Sequence, residues 1–172
     1  MDSYQKLLNS KAQKKRDLIG KMFFPRTPVL LMDFSEEKHF SEYKELLDGL
    51  ASMPLTVLIY APLKLRPQLP YNKLFHYVTE QEIDSARAAA DFELVFNGNV
   101  ASAWRNGCVP IAKLNGDKTF NYNPLQEKGN GFYFKNPTKW EVFAAVIRAL
   151  ETYQFPYDWE NLIREIIRLA AQ

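Results

Sequence analysis

A single cysteine, Cys108, is all the thiol this 172-residue sequence holds, so no internal disulfide can form. A reducing, intracellular compartment is the setting that fits. Histidine is nearly as scarce, with only His39 and His76, and without paired cysteines no zinc site is expected. None of the seven glycines belongs to a phosphate loop ending in lysine and a hydroxyl residue, and no ordered set of Ser, His and Asp marks a nucleophile. Long apolar runs are missing: nothing approaches the ~20 residues of a membrane span. The first residues, with Asp2, Tyr4 and Lys6, carry no apolar leader segment. Neither sign of charge dominates, since 22 Lys and Arg stand against 20 Asp and Glu for a formal net charge of +2. That balance suggests no dedicated nucleic-acid or membrane surface. The expectation is a cytoplasmic protein without metal or cofactor.

What is present is an ordinary globular composition, 47% hydrophobic and 24% charged, in a chain of the size of one domain, residues 1–172. Residues 3–18 read as a helix, with Tyr4, Leu7 and Leu8 on one side and Lys6, Lys11, Lys14, Lys15 and Arg16 on a solvated remainder. Gly20 and Pro25 break that pattern. The apolar run 27–32 has the character of a strand covered on both faces. Ser35, with Glu36 and Glu37 behind it, predicts a helix start, and Phe40, Tyr43, Leu46, Leu47 and Leu50 the stripe that packs on a sheet. Residues 55–60 are the next strand, and the short connections imply a right-handed parallel crossover. The proline-rich segment 61–70 can be neither a central strand nor a stable helix. Residues 74–78, with His76 as a packed side chain, make a third strand, and 79–82 a capping box that opens a helix through Ile83, Ala86 and Ala90.

The centre of the chain is a strand, helix, strand unit. Residues 92–96 and 109–112 are short apolar runs, and between them Val100, Ala101, Ala103 and Trp104 fall at helical spacing before Gly107. Leu114-Asn115-Gly116-Asp117 and Asn130-Gly131 are turn signals. Loops after strand ends in an open parallel sheet are where such sheets bind ligands, so 97–99 and 113–117 should border any small-molecule site. Asn136-Pro137 predicts a helix start, with Trp140, Phe143, Ala144, Ile147 and Leu150 as its apolar stripe. Asp158 is the expected cap of a last helix whose Leu162, Ile163, Ile166, Ile167 and Leu169 must fold onto the core or meet a partner. The fold class expected is α/β: a single Rossmann-like domain with a parallel sheet of about five or six strands flanked by helices.

The run Ala103-Trp104-Arg105-Asn106-Gly107-Cys108-Val109-Pro110-Ile111, followed by Asp117-Lys118-Thr119, Tyr122-Asn123-Pro124-Leu125 and Gly129-Asn130-Gly131-Phe132, resembles the C-terminal domain of bacterial glycogen and plant starch synthases. Those are retaining, two-domain glycosyltransferases of the GT-B type that use ADP-glucose. The resemblance implies the nucleotide-sugar-binding half of such an enzyme, with ADP or ADP-glucose as ligand. In the family an arginine, four intervening residues and a lysine hold the diphosphate. Lys38 falls on the lysine position, but Asp33 occupies the arginine position and His39 that of the following glycine, which replaces attraction by repulsion. Lys64 and Arg66, in the proline-rich loop, are the cations placed to make good that loss. The family's glutamate-bearing loop, which would follow the strand at 92–96, is shortened here, no glutamate remains in it, and Glu93 cannot be carried over to that role. Asn97, Gly98 and Asn99 keep some capacity to present backbone amides to an anion. Lys113, Asn115 and Gly116 complete the candidate nucleotide- and phosphate-binding set.

Within these 172 residues there is no acceptor-binding half. The expected function is therefore a synthase-like domain that is catalytically inactive alone and acts as a binding or assembly module. One alternative is the donor-binding subunit of a split glycosyltransferase, meeting a partner or itself through Leu162, Ile163, Ile166 and Ile167. Another is a nucleotide or phosphometabolite binder using Lys38, Lys64, Arg66 and the 97–99 turn.

Overall fold

Apolar runs that are too short for helices and apolar on both faces settle in the middle of a parallel sheet. The computed structural model describes residues 2–20 and 26–172, so Pro25 lies outside the described residues. Its strands are β1 (Val29–Asp33), β2 (Thr56–Tyr60), β3 (Phe75–Val78), β4 (Phe92–Val95), β5 (Val109–Lys113) and β6 (Phe132–Phe134). They form one six-stranded sheet in the order β3-β2-β1-β4-β5-β6, every neighbouring pair parallel. The chain runs outward from β1 to β3, then returns to lay β4 on the other side of β1. The loops leaving β1 and β4 therefore diverge and open a crevice at the carboxyl ends of those strands.

Among the described residues seven α-helices cover the sheet: α1 (Ser3–Ile19), α2 (Glu37–Tyr43), α3 (Leu46–Leu50), α4 (Ile83–Ala89), α5 (Val100–Arg105), α6 (Lys139–Tyr153) and α7 (Pro156–Ala170). The expected single helix through 40–50 is two short ones, yet Phe40, Tyr43, Leu46, Leu47 and Leu50 are all buried. Ser35 does not cap, because its amide and hydroxyl both donate to the Asp33 carboxylate. The capping box at Thr79 and Glu82 forms as read, over a short 3-10 turn that leads into α4.

In α6 the buried stripe is Val142, Ala145, Val146, Ala149 and Leu150, whereas Trp140 is 73% exposed. Two apolar phases compete along this helix, and the one with alanines and valines lets it lie close on β5 and β6. Thr138, not Asn136, is its cap, accepting from the Glu141 amide at 3.3 Å. Asp158 likewise does not cap α7, whose N-cap is Phe155; it accepts instead from the Tyr122 hydroxyl at 2.9 Å. The apolar face of α7 is consumed within the chain. Leu162, Ile163 and Ile166 are buried and Ile167 packs on the same core, with α1, α5, α6 and β5 around them. Leu169 and Ala170, at the end of the helix, are partly buried against that core as well.

The largest departure is in α1. Lys11 and Lys15, read as solvated, are only 3% and 5% exposed. Lys11 Nζ donates to the carbonyls of Ala88 and Ala90 at the end of α4 and lies 3.7 Å from Cys108 Sγ, while Lys15 Nζ meets Asp91 Oδ2 at 2.6 Å. The carbonyls at a helix end carry partial negative charge, so an ammonium group is stabilised there while its stem packs on apolar neighbours. Burial pushes the Cys108 thiol up to about 11, which makes it an inert core residue. Gly107 ends α5 at φ +62°, and an added Cβ there would meet Leu7 Cδ1 at 2.7 Å, so the close seat of α1 requires glycine. Among the described residues no helix is long and apolar enough to cross a membrane.

Asp91→Ala would leave Lys15 buried without its partner and the Val29 amide without its acceptor. Urea unfolding should show a loss of about 3–5 kcal/mol, against less than about 1 kcal/mol for Trp140→Ala on the exposed face of α6.

Candidate functional site

The crevice between the ends of β1 and β4 holds a cavity of about 330 Å³ whose walls include Asp33, Glu36, His39, Arg87, Glu93, Asn97, Asn99 and Ser102. Asp33 is the last residue of β1. Its carboxylate accepts the Ser35 amide at 3.0 Å and Arg87 Nη2 at 2.6 Å. Alternation along β4 turns Phe92 toward Tyr153 and Trp159, and Glu93 the opposite way, toward Arg87 of α4. Arg87 Nε approaches Glu93 Oε1 at 3.4 Å, and Nη1 stands 3.6 Å from Asp84 Oδ1. One guanidinium is thus shared among three carboxylates.

Glu93 is 6% exposed, and burial pushes its carboxyl above the usual range, partly countered by Arg87 and, more weakly, by Lys11. Its Oε2 has no hydrogen-bond donor among the described residues. An aromatic wall stands nearby: His39 stacks on Phe96 with ring centres 4.8 Å apart, and Phe96 also stacks with Phe34 and Tyr43. Among the described residues no group of three or more His, Cys, Asp or Glu is placed to hold a metal ion.

The structure brings together part of the set read from the sequence. Asn97 and Asn99 line the crevice, and Gly98 and Asn99 join Asn115, Gly116 and Lys118 around an adjacent cavity of about 440 Å³. Two of their amides are engaged locally: Asn99 N donates to Asn97 Oδ1 and Asn115 N to Thr119 Oγ1, each at 3.0 Å, and the next amide in the chain, Val100 N, donates to Gly98 O at 3.0 Å. The four cations of the set line neither cavity. Lys38 is exposed on α2, 3.9 Å from Glu42, and Lys64 pairs with Glu37. Arg66 donates to Ala61 O at 3.1 Å and Val78 O at 2.9 Å, fastening the proline-rich loop to the ends of β2 and β3. Lys113 is exposed at the end of β5. Arg87 and Glu93 are the residues that sequence reasoning missed. A lone carboxylate inside the apolar run of β4 was the available signal.

No protein-family model matches the chain. Glycogen synthase 1 of Synechocystis sp. is 35% identical over 69 residues, which is 38% of this chain and 14% of that protein. Glycogen synthase of Koribacter versatilis is 24% identical over 181 residues, covering 91% of this chain and 37% of that protein. The chain thus spans well under half the length of the curated relatives it matches. Among solved structures, the catalytic domain of starch synthase IV from Arabidopsis thaliana bound to ADP and acarbose superposes with a TM-score of 0.69 at 16% identity, covering 95% of this chain and 39% of that one. A chain of the GtfA/B complex superposes with a TM-score of 0.59 at 14% identity, covering 85% and 33% respectively. Sequence and fold agree on a glycogen/starch synthase C-terminal-like domain with an α/β, Rossmann-like GT-B architecture.

Glu93→Gln keeps a neutral side chain at every pH. Because the folded carboxyl is raised above its unfolded value, its contribution to stability is present below the unfolded pKa and lost as pH rises through the folded one. Thermal unfolding should therefore find the variant more stable than the parent at about pH 8, with the difference shrinking toward about pH 4.

Proposed function

We propose that this glycogen/starch synthase C-terminal-like domain does not transfer glucose on its own and serves as a binding or assembly module. The observation that carries this reading is the pairing of Arg87 with Asp33 and Glu93 in the crevice. A transferring phosphoryl or diphosphate group is stabilised by cations and free amides aimed at its oxygens. Here β1 ends in a carboxylate, Arg87 in the crevice wall is held by carboxylates, and the Asn99 amide is engaged within its own turn. ADP, a ligand of the starch synthase IV domain, would meet repulsion at this place. The resemblance to the synthases also implies that the glutamate-bearing loop is lost. The cytoplasm is the compartment in which we place the chain, where its lone buried Cys108 stays reduced.

A second reading is the donor-binding subunit of a split glycosyltransferase, with the acceptor half on another polypeptide. It is favoured by the likeness to a chain solved as part of the GtfA/B complex. In that case the contact must use surfaces other than the buried face of α7.

Incubation of the purified chain with labelled ADP-glucose and a maltooligosaccharide should give no glucosyl transfer above the protein-free control. Transfer by the chain alone would overturn the proposal. Transfer that appears only on addition of a second glycosyltransferase polypeptide, co-eluting with the chain, would establish the second reading in its place.

A further inference from the structure

We infer that the crevice at the ends of β1 and β4 is a site for a small protonated amine, its ammonium seated against Glu93 and Asp33. This rests on the reading of the domain as a binding module and names the ligand class of that same crevice. Glu93 is 6% exposed, lines the cavity and keeps Oε2 without a donor among the described residues. A buried carboxylate oxygen is rarely left this way, and a ligand N–H is the group that completes it. The charges select the sign of the ligand. Among the described residues, Asp33, Glu36 and Glu93 stand in the walls against one Lys or Arg, Arg87, which is already held by Asp33 at 2.6 Å and Glu93 at 3.4 Å. An entering anion would find carboxylates without a free cation, whereas an ammonium group adds a second positive charge to an excess of negative ones.

The volume, about 330 Å³, lies at the small end of the range for organic ligands and suits a chain of a few carbons. His39 and Phe96, whose rings stack on each other, both line the cavity and supply an apolar and polarisable wall for that carbon skeleton. A bare metal ion is a poorer occupant, since no group of three ligating side chains converges among the described residues.

The test is calorimetric titration of the whole chain with 1,4-diaminobutane, and with 1,4-butanediol as the neutral match, at equal ionic strength. The diamine should bind and the diol should not, and Glu93→Gln should weaken the diamine by about tenfold or more. Since that variant is expected to be at least as stable as the parent at neutral pH, lost binding cannot be ascribed to unfolding, and its thermal midpoint checks this. Amide shifts from a ¹⁵N-labelled sample should centre on residues 33–39 and 93–102. Equal binding of the diol, unchanged affinity in Glu93→Gln, no binding of the diamine, or shifts centred on another surface would each overturn the inference. Failure here with no glucosyl transfer leaves the module reading standing, whereas glucosyl transfer by the chain alone sinks that reading whatever the diamine does.

Discussion

Asp91 is the residue on which the arrangement of this fold depends. One oxygen of its carboxylate receives both Lys15 Nζ at 2.6 Å and the Val29 amide at 2.8 Å. Its own amide donates to Val29 O, and its carbonyl accepts from Val109 N, each at 2.8 Å. A single side chain and its peptide groups therefore join α1, β1, β4 and β5 at the amino ends of the strands. A buried ion pair contributes modest net stability for its desolvation cost, but removing one partner is expensive, so it acts mainly to hold one geometry. The geometry held is the register of β1 on β4, with Leu30 opposite Phe92 and Met32 opposite Leu94. From that register Asp33 and Val95 emerge side by side at the other end, and the crevice exists because they do.

The two ends of the sheet thus have different electrostatic logic. At the amino end, buried lysines meet a carboxylate and the carbonyls of a helix terminus, so each ammonium group has a partner. At the carboxyl end, carboxylates outnumber the one arginine, and a buried oxygen of Glu93 is left over. The likeness to starch synthase IV spans nearly the whole chain, and what it shows is the fold. Fold does not dictate function, and the proposed function rests on a few side chains at one switch point.

The sheet was legible in the sequence because its strands are short, mostly apolar and separated by clear turn and capping signals. Five of the six, β1 to β5, lie where apolar runs predicted them, within the usual uncertainty at strand ends. The helices were less legible where two patterns overlapped. The buried stripe of α1 is Leu7, Lys11, Lys15 and Ile19, a helical repeat hidden because two of its members are lysines whose partners lie far away in the chain. In α6, Trp140 and Phe143 drew attention to the wrong phase, and close packing on the sheet favoured the smaller residues. At the site, the 97–99 and 115–116 turns were readable because they follow strand ends. Arg87 was not, since its contact with Asp33 joins residues 54 apart in sequence and is created only by the crossover from β3 back to β4. The cations at Lys38, Lys64 and Arg66 were visible, but what each one pairs with was not.

Isothermal titration of the chain with ADP tests the central claim, that the charges in this crevice exclude a diphosphate, most directly. The account predicts no saturable heat up to about 1 mM ADP, a free energy weaker than about 4 kcal/mol. Saturable binding with a dissociation constant below about 10 μM, accompanied by amide shifts at residues 33–39 and 97–99, would contradict it.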